Sequence, residues 1–220
     1  MSSATSKLAR IEDGKRSYPQ SLDAVPPSDR IAVIDIGSNS ARLVIYGKNG
    51  RYPTPLFDER SNCQLGARLD QTGHLVQDRI DATLETITRF AAIIRAMQVT
   101  ACYPIATAAV RRATNGADFY RPAEDILCMP IQILSQQDEA NYVSRGLTLN
   151  IPDADGLVAD LGGGSIEIVQ LDKGVATHGI SHNFGHLSDV DEADVLKAFQ
   201  NTDWLAACKA KRLYLSLIHI

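Results

Sequence analysis

Asp35 ends an apolar run and is followed at once by the turn Gly37-Ser38-Asn39-Ser40. Gly37 allows the backbone close to a bulky group. Successive N–H groups, with the Ser38, Asn39 and Ser40 side chains, can then point into one concavity, which is how a turn holds phosphate oxygens. A carboxylate at the end of its strand, Asp35, can hold a hydrated Mg²⁺ beside them. The same grammar returns at Asp160, followed by Gly162-Gly163-Gly164-Ser165. One such turn most often merely closes a hairpin. Two in matching contexts suit two related lobes that grip a phosphate from both sides.

Two further groups have chemistry within reach. Ser135-x-x-Asp138 is a helix-capping pattern that leaves Glu139 in the first turn. An acid there ordinarily complements the helix dipole; its chemical reading is a general base that orients water for attack on phosphorus. Arg111 follows the carboxyl end of an apolar strand, where open α/β sheets bind ligands, and its fork suits a phosphate clamp. The plainer reading is a solvated surface pair with Arg112. His178, His182 and His186 lie four apart, metal-ligand spacing on a helix, but Gly179 and Gly185 favour an extended strand turning at Asn183. Cys63, Cys102, Cys128 and Cys208 form no CxxC or zinc spacing and read as reduced, mostly buried thiols of a cytosolic protein.

These residues need elements to position them. Ile31–Ile34 and Leu43–Tyr46 predict strands, with a turn at Lys48-Asn49-Gly50, and Pro55–Arg60 predicts a third strand. A loop over Asn62–Gly73 leads to a helix over Asp78–Gln98, with an apolar stripe of Ile80, Leu84, Ile87, Ala91, Ile94 and Met97. Thr100–Ala106 reads as a buried strand, then a short helix carries Arg111 and Arg112 to a stop at Asn115-Gly116. Ile131–Leu134 gives a fifth strand. Residues 156–180 give three more, with a turn at Asp172-Lys173-Gly174, and Ser188 caps a helix through Val190, Val195, Leu196 and Phe199. The fold class is therefore α/β, with a flexible leader over 1–29, a first lobe over 30–141 and an incomplete second lobe over 142–220. Arg212–Ile220 is an apolar piece that finishes no element and reads as a truncated or foreign end.

The 220 residues are 45% hydrophobic and 22% charged, with a net charge of −4. That balance offers no steering toward nucleic acid or an anionic membrane, so any anion site is local. No run approaches a membrane span and no apolar signal core opens the chain.

VIDIGSNSARLVIY, ATAAVRRAT, LSQQDEA and VADLGGGSIEIV, in that order, resemble the Ppx/GppA family of exopolyphosphatases and guanosine pentaphosphate phosphohydrolases, part of the actin/Hsp70/sugar-kinase superfamily. The resemblance spans Ile31 to Leu187. It implies two ribonuclease-H-like lobes, Mg²⁺, a cytoplasmic setting, and release of orthophosphate from the end of polyphosphate or from the 5′ end of pppGpp. A homodimer is compatible with it. By position it makes Glu139 catalytic and Arg111 a contact to substrate phosphates. Asp35, Ser38, Asn39 and Ser40 match the first phosphate loop; Asp160, Gly162, Gly163, Gly164 and Ser165 match the second. Asp160 falls at the metal, and Glu167 falls where that loop ends in an acid, completing a metal set of Asp35, Asp160 and Glu167. The chain departs from the family in three ways: Ser181-His182-Asn183-Phe184-Gly185 replaces a Ser-Leu-x-Leu-Gly turn, the second lobe stops early, and no C-terminal domain follows. Two other readings share the loops: an ATP-binding kinase or chaperone relative, and a non-catalytic phosphate- or alarmone-binding fragment.

Overall fold

A computed structural model describes residues 25–48, 53–186 and 188–217. Two mixed sheets, each flanked by helices, form the two lobes. The first sheet has the order β3-β2-β1-β4-β5, built from β1 (Arg30–Ile36), β2 (Ala41–Gly47), β3 (Thr54–Ser61), β4 (Ala101–Ala106) and β5 (Gln132–Ile133). The second has the order β8-β7-β6-β9, from β6 (Gly156–Leu161), β7 (Ile166–Asp172), β8 (Val175–His182) and β9 (Leu213–Leu217). In each sheet the strand that ends near the key aspartate pairs antiparallel with the next strand and parallel with a later one. The internal repeat of the sequence is thus a repeat of topology.

The helices are α1 (Leu69–Thr72), α2 (Gln77–Ala96), α3 (Ala108–Arg112), α4 (Ala117–Leu127), α5 (Gln136–Asn150), α6 (Glu192–Gln200) and α7 (Asp203–Ala206). The first core joins Ile34, Ile36, Leu43 and Ile45 of the sheet to Ile80, Ile87 and Phe90 of α2 and Phe119 of α4. Its inner α2 face also includes Thr83 and Thr86, whose hydroxyls donate to the carbonyls of Arg79 and Ala82 (2.6 and 3.1 Å) and so enter the core satisfied. Leu84, Ile94 and Met97 of the expected stripe pack at its margin. The second core is smaller: Ala140 of α5 packs with Val158, Val169 and Leu171. The helix that carries Glu139 therefore lies on the second sheet, and the chain passes between lobes before Gln136 rather than within α5.

Several expectations are corrected. The short helix α3 ends at Arg112, ahead of the Asn115-Gly116 stop, but residues 117–127 then form a further, unexpected helix, α4; Pro122 is tolerated and the amphipathic face of Phe119, Ala123 and Leu127 is buried. Ser188 does not cap α6: Asp191 accepts from the Asp194 N–H, while the Ser188 hydroxyl accepts from the Gly185 N–H. The piece at 213–217 is not left unpaired but lies parallel to β6. Only Cys63 among the cysteines is buried; Cys128 is exposed, and none forms a disulfide. Of the expected leader, residues 1–24 lie outside the described residues, as do Asn49 and Gly50 of the expected turn. Its last part belongs to the fold, for Val25 is buried and its carbonyl accepts from the Arg30 guanidinium. The Lys173-Gly174 turn has positive φ at both residues (44° and 82°), the primed geometry that suits a hairpin's twist. His178 and His182 lie on β8, where they stack on Trp204 and Phe184. No described helix is long and apolar enough to cross a membrane.

Candidate functional site

The two turns have one construction. The Gly37 N–H donates to the Ser40 carbonyl at 3.0 Å, and the Gly162 N–H donates to the Ser165 carbonyl at 2.8 Å. They also meet. A Cβ added to Gly163 would lie 3.0 Å from the Asn39 nitrogen, and one added to Gly164 would lie 2.6 Å from the Ser38 hydroxyl. Neither glycine has a left-handed φ, so its role is close approach rather than backbone freedom. The loops are braced from behind. Gly66 and Gln64 donate their N–H groups to the carbonyls of Ser38 and Asn39 (2.8 and 2.7 Å), and a Cβ on Gly185 would fall 2.1 Å from the Gly163 carbonyl. With those carbonyls engaged, the N–H groups of Ser38, Asn39, Gly163 and Gly164 have no acceptor among the described residues. Four such donors on two loops that touch are what an anion-binding nest requires.

Both loops line a single cleft of about 1340 Å³ between the lobes, together with Asp35, Asp160, Glu139 and Glu167. Glu139 reaches it from the start of α5. That helix begins where predicted: the Ser135 hydroxyl accepts from the Asp138 N–H at 3.1 Å, and the Asp138 carboxylate accepts from the Ser135 N–H at 3.1 Å. The same hydroxyl donates to that carboxylate and holds it below the usual range. The cap fixes the turn from which Glu139 projects.

Glu139 is only 8% exposed, and its carboxylate is ion-paired with Arg111 Nη1, which also donates to the Leu134 carbonyl at 2.6 Å. Its other neighbour is Glu167 on β7, which accepts from the Ser181 hydroxyl at 2.8 Å. Burial, with the Glu139 charge adding to it, pushes Glu167 up to about 7. Asp35 is solvent-exposed on the open cleft floor, with both lobes close around it. Crowding by the lobes, then the charges of Asp160 and Glu139, raise it to about 6 against the opposing pull of Arg42 and Arg60. Burial raises Asp160 too, partly offset by its bond with Ser216.

A hard cation suits this donor set. Asp35 and Asp160 head the two turns on one cleft, and each resists ionising there, a penalty that a divalent ion would relieve. Among the described residues no three histidine, cysteine or acidic side chains converge into a ready cage. Mg²⁺ needs none, because it keeps most of its waters and takes one or two carboxylates beside phosphate oxygens. Asp35 and Asp160 fit that role. Glu167 sits with Glu139 and Ser181 instead.

The structure thus gathers Asp35, Ser38, Asn39, Ser40, Glu139, Asp160, Gly162, Gly163, Gly164, Ser165 and Glu167 around one cleft. Arg111 is not on its lining; it stands behind Glu139, with its Nη2 buried and without a hydrogen-bond partner among the described residues. Sequence reasoning missed the bracing residues Gln64, Gly66 and Gly185, for which the only signal was an isolated glycine in a loop. It also missed Arg42, Asp58 and Arg60 on the cleft wall, because alternate residues of a strand face one side and that side had no assigned occupant.

Comparison with known proteins bears on this cleft. The exopolyphosphatase from Cytophaga hutchinsonii superposes with a TM-score of 0.72 at 24% identity, over 84% of this chain and 66% of that one. The Aquifex aeolicus PPX-GPPA enzyme matches at 25% identity and a TM-score of 0.68, over 84% of this chain and 67% of that one. An exopolyphosphatase-like protein gives 25% and 0.70, over 86% and 66%. The chain spans about two-thirds of the length of these structures. The sequence model of the Ppx/GppA phosphatase family matches residues 43–188, which include α5 and the second glycine turn, and on that match the chain belongs to the Ppx/GppA phosphatase family.

Proposed function

We propose that this chain is the catalytic part of a phosphohydrolase that releases orthophosphate from the end of inorganic polyphosphate, from pppGpp, or from both, in the cytoplasm. The observation that carries the reading is the contact between the two turns, whose four backbone N–H groups without an acceptor among the described residues belong to residues lining the same cleft as Glu139.

The N–H groups and the Ser38, Asn39, Ser40 and Ser165 side chains bind and orient the terminal phosphates, so little of the barrier is left to covalent chemistry. Glu139 orients a water for in-line attack and accepts its proton at Oε1 or Oε2. Arg111 keeps that carboxylate aimed, its Nη1 held between Glu139 and the Leu134 carbonyl. Its Nη2, without a hydrogen-bond partner among the described residues, is a donor in reserve for a phosphate oxygen. When bound by Asp35 and Asp160, Mg²⁺ would neutralise charge on the phosphate oxygens.

The test is orthophosphate release with Mg²⁺ and polyphosphate, pppGpp or ATP, each supplied separately. Release from either of the first two, with Glu139→Gln lowering turnover at least 100-fold while tripolyphosphate still binds, supports the reading. Equal release by that variant refutes the role of Glu139. Release from ATP alone points to the kinase- or chaperone-like relatives, and binding without release points to a sensor.

A further inference from the structure

Arg60 carries a charge that the chemistry above leaves unused. The strand registers set Asp35 opposite Arg42 and Arg42 opposite Arg60. Directly opposed residues share a face, so the three side chains form one row across β1, β2 and β3 on the cleft side, where all three line the cavity. Strands lie about 4.8 Å apart, which puts Arg60 roughly 10 Å from Asp35 along that row, at the lip.

The two arginines of the row differ. Arg42 is engaged by Asp58 through two bonds, Nε to Oδ1 at 2.8 Å and Nη2 to Oδ2 at 2.6 Å. Arg60 is exposed, its Nε donates to the Ser40 hydroxyl at 2.9 Å, and no carboxylate pairs with it among the described residues. An exposed arginine is ordinarily just solvated. This one is tethered to a residue of the first glycine turn. The tether holds the guanidinium beside that turn, on the cleft that both residues line, and leaves Nη1 and Nη2 without a hydrogen bond among the described residues. That cleft is floored by carboxylates, and a cation at its lip that no described carboxylate engages in an ion pair is what draws a polyanion past them.

We propose that Arg60 binds a phosphate beyond the terminal group of a linear phosphate chain, and so selects chains over orthophosphate. The inference rests on the phosphohydrolase reading for its substrate class, but not for its test. A planar fork accepts two oxygens of one phosphate, whereas a lysine supplies only a point charge. The Ser40 tether fixes the guanidinium in advance, so little ordering cost is left at binding.

The chain is titrated at equilibrium with Mg²⁺-tripolyphosphate and, separately, with orthophosphate, as wild type, Arg60→Gln and Arg60→Lys. The expected result is about a tenfold weaker tripolyphosphate Kd for Arg60→Gln (1.4 kcal/mol), an intermediate value for Arg60→Lys, and orthophosphate affinity within about twofold. Circular dichroism and Tm should match wild type, because the side chain is exposed. Where turnover is measurable, KM for polyphosphate rises by the same factor and kcat does not. Unchanged tripolyphosphate affinity, or an equal loss for both ligands, overturns the proposal. A wild type that binds tripolyphosphate without releasing phosphate would sink the hydrolase reading and still leave Arg60 decided by its Kd.

Discussion

Replacing Gly164 by alanine tests whether the two turns work as one grip. The new Cβ would stand 2.6 Å from the Ser38 Oγ and 3.3 Å from its Cβ, where ordinary contact begins at 3.4 Å, so the turns must part by about 0.8 Å or the hydroxyl must swing away. Backbone strain adds nothing, since Gly164 does not have a left-handed φ. Ser38 is buried against Gly66, whose own added Cβ would lie 2.9 Å away, so the first turn has no room to retreat. Overpacking of this kind costs about 1–3 kcal/mol. The larger effect is on catalysis, where a displacement near 1 Å can cost about 100-fold. The assay is kcat/KM for orthophosphate release from tripolyphosphate in wild type, Gly164→Ala, Ser38→Ala and the double variant. Gly164→Ala should lose about 100-fold alone but far less in the Ser38→Ala background, where the obstructing oxygen is gone. Additive losses, or a Gly164→Ala enzyme within twofold of wild type, would show that the turns do not meet in the working protein.

Other outcomes follow from the same geometry. Ser135→Ala removes both the cap on the Asp138 N–H and a partner of its carboxylate; it should cost about 1 kcal/mol, a fall of roughly 2–4 °C in Tm by calorimetry. Arg111→Met leaves the buried Glu139 carboxylate without its cation, which should cost about 3–5 kcal/mol of stability, read as a fall in Tm; an unchanged Tm would show that the pair does not form in solution. Glu167, raised to about 7, and Asp35, raised to about 6, bind protons more tightly folded than unfolded. Their stabilisation is therefore complete below about pH 4 and is lost as pH rises through 6 to 7. Without divalent cation, Tm should fall from pH 5 to pH 8, less steeply in Glu167→Gln, and Mg²⁺ should raise it more at pH 8 than at pH 5. Equal Mg²⁺ shifts at both pH values would contradict the assignment of Asp35 and Asp160 as its ligands.

The local pieces were legible in the chain itself. The Ser135 cap, the long helix α2, the two hairpins around Gly37 and Gly162, and their repetition all follow from short-range rules of capping, periodicity and turn chemistry. Where those rules fell short, a neighbour had prevailed: buried Phe119 and Leu127 hold α4 together despite Pro122 within it, and pairing with β6 orders residues 213–217. What no local pattern contained was distance. That Gly164 touches Ser38, that Arg111 turns its fork to Glu139 rather than into the cleft, and that Arg60 stands in a row with Asp35 without an ion pair among the described residues are facts of two sheets brought face to face. Short-range chemistry along the backbone set which groups were available, and only packing between lobes set which of them share a space, because charge and contact act across a few ångströms whatever the separation in sequence.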